Sequence, residues 1–118
     1  MIESRGDPMK HIHNKLVRDN IPNIIKASGK TCKTRILDNQ EYIECLKNKL
    51  LEECNEVVTA SDDHIGEELA DLLEVVEALK ETLNISTEEI ETIRHNKGIK
   101  NGVFKNQIYL EYVEDNHE

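Results

Sequence analysis

Ile43, Leu46, Leu50, Cys54 and Val57 recur at three- and four-residue intervals in "DNQEYIECLKNKLLEECNEVVTA". That period lays one apolar stripe along a helix. Asp38 followed by Glu41 has the spacing of a capping box, in which two side chains satisfy two orphan amides at a helix start. After a short polar break the period resumes in "SDDHIGEELADLLEVVEALKETLN", with Leu69, Leu72, Leu73, Val76, Leu79 and Leu83 along one side and Ser61, Asp62 or Asp63 as the cap. "ISTEEIETIRHNKG" predicts another helix, opened by Ser86 and Glu89 as a second capping box and closed near Gly98.

Upstream, "NKLVRDNIPNIIKASGK" predicts a short helix that starts at Pro22, stops at Gly29 and carries Ile21, Ile24 and Ile25 on its apolar face. "TCKTRIL" alternates and is rich in β-branched residues, as does "KNQIYLEYVE" near the end. The two read as strands that pair in a ribbon. The predicted fold is therefore mainly α, a helical bundle with room for a small two-stranded β ribbon. Residues 1–8 read as an extension or cloning remnant, with Met9 a candidate natural start. Residues 9–113 form one domain, and 114–118 a polar tail.

Composition narrows the function. Lys+Arg number 15 against 24 Asp+Glu, a net charge of -9. That balance argues against a sequence-independent grip on nucleic acid or on an acidic membrane. One Phe, three Tyr and no Trp leave no stacking platform for single strands. No stretch approaches the roughly 20 apolar residues of a membrane span, and the start has no apolar signal-peptide core. Cys32, Cys45 and Cys54 fit neither a disulfide framework nor a paired-cysteine zinc site. Cys45 and Cys54 read as small buried hydrophobes, and the compartment as the reducing cytoplasm.

Within "LLEECNEVVTASDDHIGEELADLL" the acids form two clusters: Glu52, Glu53 and Glu56, then Glu67, Glu68 and Asp71. Residues three apart share a helix face. Glu53 therefore projects with Glu56, and Glu68 with Asp71. The short connection makes the two helices antiparallel neighbours, so these four carboxylates converge near the joined ends. They cannot all stay ionised and desolvated without a positive partner. Hard oxygen ligands suit Mg²⁺ or Mn²⁺, and carboxylate-bearing helix pairs build metal sites in bundles. Acid runs on helices are ordinarily solvated faces, and Glu52 and Glu67 belong to that class, as do Glu88, Glu89 and Glu91. The histidines His11, His64, His95 and His117 share no ligand spacing and read as surface residues.

"EECNE" at 52–56 and "EELAD" at 67–71 resemble the E-E-x-x-E … E-x-x-D signature of the MazG-like all-α nucleoside triphosphate pyrophosphohydrolases. "NKLVRDNIPNIIKASGK" resembles the N-terminal signature of the phosphoribosyl-ATP pyrophosphohydrolase-like subgroup. The resemblance runs from about residue 13 to 112. It implies a MazG-like helical bundle, homodimeric or higher. It also implies Mg²⁺-dependent hydrolysis of the α–β phosphoanhydride bond, giving a nucleoside monophosphate and pyrophosphate. Carried over, Glu53, Glu56, Glu68 and Asp71 are the metal ligands, Glu52 an outer-shell acid, and Glu53 or Glu56 the group that takes the water's proton. Lys15, Arg18, Lys49 and Lys97 are the phosphate-binding candidates. Arg18 has a second reading as the ion-pair partner of Asp19 or a helix end, and Lys49 as the neutraliser of Glu53.

The chain departs from the subgroup at "NGVFKNQIYL", where Asn101 and Gln107 replace arginines and Val103 a glycine, and at His13, where tyrosine is common. Lys100 and Lys105 are point charges without arginine's fork. The expected function is Mg²⁺-dependent hydrolysis of a nucleoside triphosphate to the monophosphate and pyrophosphate, with house-cleaning of non-canonical nucleotides as one form of it. The alternatives are a phosphoribosyl-ATP pyrophosphohydrolase of histidine biosynthesis and a non-catalytic helical module that binds a nucleotide or a partner.

Overall fold

A computed structural model describes residues 9–115. The proposed extension, residues 1–8, and the last three residues of the tail lie outside them. Four helices follow one another: α1 (Ile21–Ala27), α2 (Asn39–Thr59), α3 (Ile65–Thr82) and α4 (Thr87–Asn101). The chain divides into two compact units, Met1–Leu83 and Asn84–Glu118. The first holds α1, α2 and α3; the second holds α4 and the C-terminal segment.

Local chemistry accounts for most helix ends. Pro22 sits in the first turn of α1. Past its end Gly29 has φ +87°, the Lys30 amide donates to the Ile25 carbonyl and the Gly29 amide to that of Lys26. That pair of bonds is the Schellman closure, which needs a left-handed residue where glycine stands. At α2 the Asp38 carboxylate accepts from the Glu41 amide at 2.9 Å. The reciprocal half of the expected box is missing, because Glu41 spends its carboxylate on Arg35, at 2.6 and 3.1 Å. At α4 the Ser86 hydroxyl accepts from the Glu89 amide at 3.0 Å.

Two ends differ from expectation. None of Ser61, Asp62 or Asp63 caps α3 with its side chain; its cap position is His64, also without a side-chain bond. The Ser61 carbonyl instead accepts from the His64 and Ile65 amides, so a backbone turn leads into the helix. α4 runs through Gly98 and stops at Gly102, whose φ of +85° marks the break.

No strand forms among the described residues. Residues 31–37 and 104–115 lack regular structure, and both faces of the second segment are exposed, from Ile108 and Tyr109 to Leu110 and Tyr112. Alternation describes how a strand would present its side chains. The backbone still needs an edge to pair with, and neither segment has one. No helix among the described residues is long and apolar enough to cross a membrane.

The first unit is organised by the packing of α2 on α3, joined through residues 60–64 as an antiparallel hairpin. Leu46 of α2 and Val75 of α3 are its buried apolar residues, 2% and 8% exposed. Ile43, Leu50 and Val57 are half-buried on the Leu46 side, as expected, but Cys54 is exposed. The stripe passes through Glu53 instead. On α3 the packed face runs through Glu68, Asp71, Leu72, Val75, Val76 and Leu79, while Leu69 and Leu73 face water. The leucine-rich side predicted for α3 is therefore split between the hairpin interface and the surface.

Candidate metal centre

A buried glutamate is the unusual feature of this interface. Glu53 is 7% exposed, as buried as Val75. Its position follows from helix period: it stands one heptad after Leu46 and one turn before Val57, so α2 cannot bury those residues without turning Glu53 inward. Glu53 lies as far before the end of α2 as Asp71 lies beyond the start of α3. The antiparallel hairpin therefore brings them level.

One carboxylate oxygen from each of Glu53, Glu68 and Asp71 lies within 4.8 Å of the other two. Two oxygens bound to one Mg²⁺ at about 2.1 Å stand no more than about 4.2 Å apart. Three oxygens on one octahedral ion include at least two adjacent pairs at about 3 Å, so the three side chains must draw together to share it. The donor set is all oxygen, the hard chemistry that Mg²⁺ and Mn²⁺ prefer. The three residues fit a divalent cation of this kind. Glu56 stands outside the triad and is exposed, but its charge reaches Glu68.

Electrostatics at the cluster are strained. Burial first, then the charges of Glu56, Asp71, Glu53 and Glu67, raise the Glu68 carboxyl above its ordinary range. Repulsion of this sign is what a shared cation relieves.

Basic groups meet the acids from two directions. Lys49, one turn before Glu53 on α2, places Nζ 2.9 Å from Glu52 and 3.7 Å from Glu53. Its hydrogen bond holds the Glu52 carboxyl below the usual range. The irregular segment before α1 supplies the others. Lys15 Nζ is 4.0 Å from Glu52, and Arg18 Nη2 donates to Asp71 Oδ1 at 2.8 Å. The "KLVRD" segment thus lies against the acid end of the hairpin, with Lys15, Cys45, Asn48, Lys49 and Glu52 lining a shallow cleft beside it. Lys97 is exposed on α4, in the second unit.

Sequence reasoning placed the acids but not two of their relations. It put Cys54 on the buried stripe where Glu53 belongs; the shared period of Leu46, Leu50 and Val57 accommodates either. Its second reading of Arg18, beside phosphate binding, paired it with Asp19 or a helix end, whereas the partner is Asp71, far along the chain. No family model matches this chain, and no curated protein or solved structure matches it.

Proposed function

We propose that this chain is a cytoplasmic, Mg²⁺-dependent nucleotide pyrophosphohydrolase of the MazG-like kind, acting on nucleoside triphosphates in a house-cleaning role. One observation carries the reading: Glu53, buried on the packed face of α2, gathers with Glu68 and Asp71 so that one oxygen of each lies within 4.8 Å of the others. An apolar residue at position 53 would pack without the cost of desolvating a carboxylate. A functional requirement explains why an acid is there.

Glu53, Glu68 and Asp71 hold the cation, with Glu56 at the rim and Glu52 outside it. Bound there, Mg²⁺ supplies Lewis-acid polarisation of phosphate oxygens and acidification of a water. Glu53 or Glu56 accepts the proton as the water oxygen bonds to phosphorus and the α–β anhydride bond breaks, releasing pyrophosphate. Lys15, Arg18 and Lys49 lie close enough to the acids to hold phosphate oxygens left unmasked by metal. Phosphoryl chemistry asks the protein for little beyond such placement and charge.

A homodimer or higher oligomer belongs to this reading. Leu51 and Val58 on α2, and Leu69 and Leu73 on α3, are exposed although their helices are paired. A second copy covering them would complete a bundle core. Light scattering on the eluting protein should return at least twice the 13.6 kDa chain mass.

Pyrophosphate release across a panel of canonical and damaged nucleoside triphosphates and phosphoribosyl-ATP, with Mg²⁺ and with chelator, tests the activity. The expected result is release that requires Mg²⁺ and is lost in Glu56→Gln and Asp71→Asn variants with unchanged helix content. Release from phosphoribosyl-ATP alone would select the histidine-pathway enzyme. Nucleotide binding without release would select a non-catalytic module, and wild-type rates in both variants would defeat the assignment.

A further inference from the structure

Arg18 bonds directly to a member of the triad, through Nη2 to Asp71 Oδ1 at 2.8 Å. Its segment is irregular, between the described start of the chain and α1, so it is not fixed by a helical ladder. Both side chains of the pair are roughly half exposed, and an ion pair in that setting is easily broken. The Lys49 contact differs: its side chain is mostly buried and anchored on α2, where Glu52 as well as Glu53 holds it. The two basic groups therefore have different freedoms. Lys49 is part of the helical frame, while Arg18 can let go.

Resting on the metal-site reading above, we propose that Arg18 and a divalent cation compete for the Asp71 carboxylate, and that cation binding hands the guanidinium over to a phosphate oxygen of the anion that the cation brings in. A guanidinium beside Asp71 opposes a second cation at the same carboxylate by simple Coulomb repulsion. Once displaced, it presents a planar two-pronged donor that suits phosphate. Arg18 is thus an internal counter-ion before it is an anion ligand. The exchange couples the two events: cation alone meets a competitor, and cation with anion gains a partner.

The exchange predicts effects of opposite sign in one variant, which a merely structural role cannot produce. Mn²⁺ binding to the full chain is read from the loss of the free-ion paramagnetic resonance signal, and binding of inorganic pyrophosphate in saturating Mg²⁺ by calorimetry. Arg18→Gln should bind Mn²⁺ about two- to fivefold more tightly than wild type, and pyrophosphate about tenfold more weakly. Equal Mn²⁺ affinity in the two proteins, with tight binding in both, would overturn the exchange and leave the metal site standing. Weakening of both ligands together would assign Arg18 a structural role and also overturn it. A gain in Mn²⁺ affinity of the same size in Lys15→Gln, whose ammonium faces Glu52 and not the triad, would mark a diffuse charge effect and overturn it. Failure of wild type and both variants to bind Mn²⁺ at all would remove the metal site and the exchange with it.

Discussion

The interface of α2 and α3 has two levels with opposite chemistry. Away from the connecting loop, Leu46 and Val75 bury apolar surface. Nearer the loop, the same face carries Glu53, Glu68 and Asp71. Helix period makes the two levels inseparable, because the residues that present Leu46 and Val75 inward also present the acids inward. The first level supplies favourable burial. The second spends part of it on desolvating carboxylates. What the comparison teaches is that rigidity at the acid level depends on packing at the apolar level: the hairpin positions the three carboxylates by burying leucine and valine a turn or two away.

The largest expected effect lies at the acid level. Glu53→Gln keeps shape and removes charge, and should cut Mg²⁺-dependent pyrophosphate release by about a hundredfold or more while circular dichroism shows unchanged helix content. At the apolar level, Leu46→Ala should lower stability by about 2–5 kcal/mol, read from the urea midpoint, and should also weaken Mn²⁺ binding by the folded fraction, because the acids lose the packing that holds them. If Leu46→Ala instead cost nothing, the packed level would not be the source of rigidity.

Glu53→Leu sharpens the comparison by making both levels apolar. It should hold or raise the metal-free urea midpoint, by as much as about 1–4 kcal/mol, since burial without a charge replaces burial of one. The same variant should lose the stabilisation by Mg²⁺ that a cation shared by the triad is expected to give wild type through mass action. Asp38→Ala lies at neither level and removes only the amide partner of Glu41. It should cost about 1 kcal/mol and leave cation binding as it was.

The smallest expected effect is a pH slope. The raised Glu68 carboxyl means that the folded chain binds its proton more tightly than the unfolded chain does. Metal-free stability should therefore decline as pH rises from the ordinary carboxylate range through the raised folded value. Glu68→Gln should flatten that decline in urea titrations at stepped pH. Glu41 runs the other way: its hydrogen bond to Arg35 lowers its carboxyl, so its contribution is present at neutral pH and lost as pH falls through the folded value.

Much of this hairpin is legible in sequence. The period of Ile43, Leu46, Leu50 and Val57 locates α2 and its inner face, and Asp38, Ser86 and Gly29 mark three helix ends with the side chain or backbone that closes them. The acid spacing puts Glu53, Glu68 and Asp71 on facing helices. The rotation of α3 is less legible, because its apolar residues outnumber one face. Leu69 and Leu73 fit the helical period as well as Leu72 and Val76 do, and only packing against α2 decides which turn inward. Residues 31–37 and 104–115 mislead for a related reason: alternation reports side-chain faces and says nothing of a partner for the backbone. The Arg18–Asp71 pair is a contact between distant segments that no local pattern encodes.

The most direct test of a shared cation is site-resolved. Sub-stoichiometric Mn²⁺ added to the ¹⁵N-labelled full chain broadens the amides nearest the bound ion. Broadening should centre on Glu53, Glu68 and Asp71, fade toward Leu46, and vanish on competition with excess Mg²⁺. Broadening spread evenly over the surface acids Glu88, Glu89 and Glu91 as well, or none at the triad, would contradict a metal centre between α2 and α3.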